Sequence, residues 1–169
     1  MGFEPTSVRL WKRLTRDERL AASAAFWEQP PEALLGSALA AIVKARHLRP
    51  QVARSLPLED RVRSLAAILD PGETVSAALL VALHLGERRP LLSRFLDALR
   101  LPHEDGILKE DESAPVAPLG ETEARDGVAA LRAQFPESQV VTYLNTLWLQ
   151  DPERWAVLER SPQWLGSGG

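Results

Sequence analysis

Arg49-Pro50-Gln51-Val52-Ala53-Arg54-Ser55-Leu56 shares its spacing with Arg89-Pro90-Leu91-Leu92-Ser93-Arg94-Phe95-Leu96, so that arginine, proline, arginine and leucine recur in register. In a chain rich in these residue types an eight-residue match carries little weight alone. Both copies, however, follow an apolar segment of helical periodicity that itself follows a proline turn, and this context points to a helical repeat. The fold class read from it is all-α.

Upstream of the first copy, Thr15 and Glu18 have the spacing of a capping box, in which hydroxyl and carboxylate reciprocally satisfy orphan backbone N–H groups, and a helix is expected to about Glu28. A short helical piece over Ser7 to Arg13 precedes it, with Leu10, Trp11 and Leu14 as a packing cap. Pro30-Pro31 forbids continuation, and Leu35, Ala38, Leu39, Ile42 and Val43 mark a second helix from about Glu32 to Arg46. Residues 15–48 therefore read as an αα-hairpin.

Between the copies, Pro57 restarts a helix whose Val62, Leu65, Ala66 and Leu69 share one stripe, and Asp70-Pro71-Gly72 ends it. The next segment, Glu73 to about Leu85, is apolar on several sides and is the candidate for the buried centre. Pro90 then starts a helix that turns Leu92, Phe95, Leu96 and Leu99 inward.

Residues 101–121 break the pattern. From Arg100 to Asp126 there are 3 basic and 8 acidic residues and few large apolar ones, so burial cannot offset the ordering entropy and a flexible acidic segment or surface loop is expected. The alternative is that Ile107 and Leu108 tack it onto the body. Periodicity resumes near Thr122 and runs to Gln134; after Phe135-Pro136, Val140, Val141, Leu144, Leu147 and Trp148 define an amphipathic helix to about Gln150. Asp151-Pro152 opens a last short helix through Trp155 and Leu158.

Residues 15–48, 58–88 and 122–151 thus give roughly three helical hairpins, stacked as a short repeat-like array or closed as an irregular bundle, with an acidic loop before the third. The spacing of about 40 residues between the first two units is in the range of armadillo- and HEAT-type arrays, although their sequence signatures are absent. The whole of 1–165 is read as a single all-helical domain and 166–169 as a disordered tail.

Composition narrows the function. With 169 residues, 45% of them hydrophobic, the chain can bury one sizeable core but not two. The net charge of -3 argues against a generally basic nucleic-acid binder. The charge is uneven, however: residues 1–63 carry 11 Lys and Arg against 7 Asp and Glu, the remainder 9 against 16. Absence of cysteine excludes disulfides, thiolate metal sites and cysteine nucleophiles, and makes the cytoplasm the expected location. The N-terminus has no apolar signal core, and the longest apolar run, Ala77 to Leu83, is far shorter than the roughly 20 residues that span a bilayer. Arginine in excess of lysine, with much Ala, Leu and Pro, matches the coding bias of a GC-rich bacterial genome.

Chemistry-bearing constellations are sparse. Of three histidines, His47, His84 and His103, no two stand at the i, i+4 spacing of a helical metal site. His103-Glu104-Asp105 gathers three ligand types in a loop, which is more simply a solvated triplet, and His84, among leucines, reads as a structural histidine. No nucleophile elbow, phosphate-cradling glycine loop or dinucleotide fingerprint occurs. Asn145 and Thr146 read as an exposed polar flank. No catalytic residue, cofactor or metal is expected.

The basic stretch from Lys44 to Arg63 is the more informative feature, since arginine's planar fork suits carboxylate or phosphate. Arg46, Arg49, Arg54, Arg89 and Arg94 are the candidate interaction surface. Five tryptophans suit either interface hot spots or core and end-cap packing. The expectation is a non-enzymatic protein-protein interaction or scaffold module with an unidentified protein partner and no membrane contact. The alternative is a nucleic-acid-associated protein using the basic N-terminal half, which lacks interleaved stacking aromatics.

Overall fold

The Thr15 hydroxyl accepts from the Glu18 backbone N–H at 3.2 Å while the Glu18 carboxylate accepts from the Thr15 N–H at 2.7 Å, and this reciprocal cap opens the helix Arg16–Glu28. It is one of ten helices in the computed structural model, which describes residues 5–109 and 119–159. In chain order these are α1 (Ser7–Arg13), α2 (Arg16–Glu28), α3 (Glu32–Arg46), α4 (Pro50–Arg54), α5 (Leu58–Ala67), α6 (Glu73–Glu87), α7 (Arg89–Ala98), α8 (Glu121–Gln134), α9 (Glu137–Gln150) and α10 (Ala156–Glu159). The fold is all-α, with one two-stranded hairpin, β1 (His103–Glu104) and β2 (Ile107–Leu108). No helix among the described residues is long and apolar enough to cross a membrane.

The described residues divide into two compact units, Thr6–Glu87 and a second that comprises Pro5 and the described residues from Arg88 on. In the first, α6 is the central element, as its apolar character suggests. It buries Val75, Leu79, Leu80 and Leu83 and packs against α2, α1 and α3. Small residues let α2 and α6 come close: a Cβ built on Gly86 would sit 3.1 Å from the Ala25 Cβ. The helices on either side of a proline turn are not the main packing partners here. α2 is held chiefly by α6 and α5, while α3 rests on α4, α5 and α6.

Side chains of α1 and α2 complete this unit by satisfying carbonyls along α5. Ser23 Oγ donates to Val62 O at 2.8 Å, Arg19 Nε to Ala66 O at 3.1 Å, and Trp11 Nε1 to Ile68 O at 2.8 Å. A helix end leaves its last carbonyls without intrahelical partners, and Arg19 and Trp11 supply donors there, to Ala66 in the last turn and to Ile68 just past it. The opposite need, at the N-terminus of α1, is met by the Glu73 carboxylate, which accepts from the Ser7 and Val8 N–H groups. Leu69, placed on the inward stripe by periodicity, is 51% exposed, because the helix ends at Ala67 and Ile68 turns to extended backbone.

In the second unit α7 packs against α8, and α8 against α9. Gly127 of α8 faces α7, where an added Cβ would meet Leu99 Cδ2 at 2.8 Å and Phe95 Cε2 at 3.1 Å. Every residue of α9 from Val140 to Thr146 is buried. Asn145 and Thr146, read from the sequence as an exposed polar flank, are therefore buried as well. Their side chains donate one turn back, Asn145 Nδ2 to Val141 O and Thr146 Oγ1 to Thr142 O, both at 2.7 Å. A short polar side chain that bonds the i−4 carbonyl can enter a helix interface without leaving its donor unmet.

The first residues of the acidic segment 101–121 form a β-hairpin. His103 pairs with Leu108 and Glu104 with Ile107, and the turn between them holds Asp105 at φ 50° and Gly106 at φ 84°. Two successive positive φ values are the conformation that a two-residue Asp-Gly hairpin turn provides. Ile107 is 47% exposed, and the hairpin is held on α7 instead by Arg89, which donates to the Asp105 carbonyl and carboxylate at 3.3 Å, and by His103, whose Nε2 lies 2.7 Å from Asp97 Oδ1. Residues 110–118 of the segment, and the tail 166–169, lie outside the described residues.

Burial pushes the phenol of Tyr143, the one tyrosine in the chain, well above its ordinary value of 10. Above about pH 10 the unfolded chain ionises this group while the folded protein keeps its proton, so the unfolded chain binds fewer protons. The associated stability is complete below that pH and falls by about 1.4 kcal/mol for each further pH unit. Urea titrations at rising alkaline pH check this against Tyr143→Phe, which removes that part of the slope.

Candidate functional site

The basic residues of the first unit are gathered by the way α3 ends. Lys44 and Arg46 occupy its last turn, where cations complement the helix dipole. His47 adopts the left-handed conformation at φ 52°, and the Leu48 N–H returns to the Val43 carbonyl at 3.1 Å, which reverses the chain. Pro50, with its φ already helical, starts α4 directly after Arg49, and Pro57 precedes α5. Both α4 and α5 pack on α3, and the Arg61 guanidinium ties α5 to the end of α4 by donating to the Arg54 carbonyl. One corner therefore carries Lys44, Arg46, His47, Arg49, Arg54 and Arg63 exposed, with Arg61 half-buried over the ring of Trp27 at 5.5 Å.

These cations are not equally engaged. Arg63 pairs with Glu59 at 3.0 Å in an exposed i, i+4 bridge, and Arg46 Nη1 donates to Ser64 Oγ at 2.9 Å. Lys44, Arg49 and Arg54 make no ion pair among the described residues. Beside them Val52 and Leu58 expose apolar surface at 44% and 57%.

Between α3 and α5 the same corner contains an open groove of about 500 Å³. It is lined by the apolar Ala45, Ala67 and Ile68 and the polar Arg46, Asp60, Arg63 and Ser64. Asp60, Arg63, Ser64 and Ala67 recur at i, i+3, i+4 and i+7, the spacing of one helix face. That spacing was available in the sequence, but the inward stripe of Leu65 and Ala66 drew the reading to the other side of α5.

Of the five arginines selected from sequence, Arg46, Arg49 and Arg54 are brought together at this corner, whereas Arg89 and Arg94 belong to the other unit. Their surroundings differ too. Arg89 is bonded to Asp105, and Arg94 is half-buried, its Nε enclosed without a hydrogen-bond acceptor. The matching octapeptides consequently become different elements, a helix of 5 residues in α4 and one of 10 in α7.

The histidines are structural in their geometry. His84 is 3% exposed and its Nδ1 lies 2.7 Å from Leu80 O, which assigns the proton to Nδ1. At His103 the Gly106 N–H donates to Nδ1 at 3.2 Å, so Nε2 carries the proton toward Asp97. Among the described residues no three His, Asp or Glu side chains are grouped to hold a metal ion. Trp11, Trp27 and Trp155 are buried, which makes them core residues, and Trp164 lies outside the described residues.

Comparison of the chain with protein-family models, curated proteins and solved structures gives no match.

Proposed function

We propose that the protein is a non-enzymatic protein-interaction or scaffold module whose contact surface is the corner formed by the end of α3, α4 and α5. The observation that carries this reading is the set of exposed cations without ion pairs, Lys44, Arg49 and Arg54, standing beside exposed Val52 and Leu58. Guanidinium groups and apolar side chains side by side suit a protein surface, because arginine gains from planar carboxylate partners while adjacent apolar area drives association. Nucleic-acid binding by single strands draws on exposed aromatic platforms, and the tryptophan at this corner, Trp27, is only 6% exposed. The cysteine-free composition is consistent with work in the cytoplasm.

Simultaneous Lys44→Glu, Arg49→Glu and Arg54→Glu is expected to abolish recovery of a specific partner from a source lysate, with folding stability changed by no more than about 0.5 kcal/mol per substitution. Affinity capture with and without nuclease, followed by mass spectrometry, reads the result. Recovery of the same protein partner by the reversed-charge variant removes this surface from the reading. Recovery that disappears with nuclease and falls steeply with salt replaces it with nucleic-acid binding.

A further inference from the structure

We infer that α3 pairs antiparallel with α3 of a second copy of this chain, along the ridge Glu32, Gly36, Ala40 and Lys44. Behind this lies a mismatch between what α3 is made of and what covers it. Ten of its 15 residues are alanine, leucine, isoleucine or valine, spread over every side, and a helix that is apolar all round belongs in an enclosed position. Yet only Ala38 and Ile42 are buried, whereas α6, of equal length, buries six residues. Helices α4, α5 and α6 cover one face of α3. On the other, Ala33, Gly36, Ser37 and Ala40 stand exposed beside half-buried Leu39 and Val43.

The charges at the two ends of that face select the occupant. Glu32, Gly36, Ala40 and Lys44 follow one another at i, i+4 and are all exposed, so they form a single ridge with a carboxylate at one end and an ammonium about 18 Å away at the other. Neither charge makes an ion pair among the described residues. An antiparallel two-fold maps this ridge onto itself. Glu32 then meets Lys44 of the second copy, Gly36 meets its Ala40, and the symmetry repeats both contacts. A parallel pair would instead set Glu32 against Glu32 and Lys44 against Lys44. Ridges of this kind lie side by side when helices cross at about −50°, the commonest packing class, and small residues at the crossing let the backbones approach. Gly36 provides the room, since a Cβ built on it has no neighbour within 4 Å. One helix contributes less than the roughly 800 Å² per partner of a stable complex, so the pair is weak and forms at high concentration. It is independent of the partner surface proposed above: Glu32, Gly36 and Ala40 lie outside that corner, and Lys44 alone is common to both.

Sedimentation equilibrium of the full chain from about 10 μM to about 1 mM is expected to show a monomer–dimer equilibrium. Glu32→Lys and Lys44→Glu each oppose like charges at both ends of the pair, and each is expected to weaken association by about ten-fold or more. An equimolar mixture of the two variants is expected to recover it, because one then carries only cations on the ridge and the other only anions. The chain with both substitutions, its charges exchanged, is expected to recover it as well. Gly36→Leu has space in the monomer and improves helix propensity, yet is expected to abolish the pair by holding the backbones apart. Circular dichroism checks that each variant keeps its helicity. A parent chain that stays monomeric throughout, association that survives Gly36→Leu, or charge variants that fail to recover when mixed overturns the inference. Capture of a partner through Arg49 and Arg54 is read separately, in the monomeric Gly36→Leu chain.

Discussion

Phe95→Ala is expected to destabilise the protein by about 3–5 kcal/mol, the range for removing a large aromatic from a packed core. Phe95 is fully buried on α7, edge-on to Tyr143 of α9 at 5.5 Å between ring centroids and tilted against Trp155 at 5.8 Å. It also forms the wall that Gly127 of α8 faces, so one side chain joins α7, α8, α9 and the residue preceding α10. Two effects add. The transfer of the ring from water to the core is lost, and a cavity opens that neighbours held by three helices cannot fill. The aromatic geometry contributes beyond area, by about 0.5–1.5 kcal/mol for such a pair, so Phe95→Leu also costs, though less than alanine. Equilibrium urea denaturation followed by far-ultraviolet circular dichroism measures the effect. A loss below about 1 kcal/mol for Phe95→Ala would mean that the site collapses readily and that these contacts do not organise the unit.

The sequence anticipated Phe95 as an inward residue because it shares a helical face with Leu92, Leu96 and Leu99, all buried. Much else about single elements was equally legible. The capping box at Thr15, the double proline before α3 and the proline before α9 each announce a helix start by a local mechanism that tertiary packing does not overrule. Pairing was less legible. Amphipathic stripes state that a helix has an inner face but not which helix covers it, and α2 found α6 and α5 rather than its neighbour across the proline turn. The Asp105-Gly106 hairpin was missed. The acidic composition of the segment drew the reading to a flexible loop, whereas the Asp-Gly pair, a two-residue turn signal, sets the backbone of its first residues.

The candidate site divides along the same line. Of the arginines picked for charge density along the chain, Arg46, Arg49 and Arg54 are exposed. Extending the choice to Arg89 and Arg94 rested on the matched octapeptides, and similarity of spacing did not determine surroundings. Arg89 meets an acidic hairpin that the first copy lacks, and Phe95 in place of Ser55 gives the second copy a core anchor that lengthens the helix. The groove required knowledge that α5 lies on α3, a long-range contact that periodicity does not encode. Once that contact is known, its α5 lining follows from the i, i+3, i+4, i+7 face of Asp60, Arg63, Ser64 and Ala67 that the sequence displays.

Trp11→Ala is expected to cost a further about 3–5 kcal/mol when made in the parent chain, this time in the first unit. Trp11 is completely buried, on a helix of only 7 residues that buries Leu10 beside it. Such a short helix has little stability of its own, so its order depends on packing against α6 and on the cap that Glu73 gives its first N–H groups. Loss of the indole removes both the ring and the donor to Ile68 O. Trp11→Phe separates the two, since it keeps most of the buried area and deletes only the N–H. Its expected cost, about 1–3 kcal/mol, is that of leaving a partly buried carbonyl without its partner. Equilibrium urea denaturation of the two variants beside the parent separates the contributions. A cost for Trp11→Phe as large as that of Trp11→Ala would show that the N–H bond to the Ile68 carbonyl, not the buried ring, holds α1 in place, and a cost near zero would show that this carbonyl finds another donor.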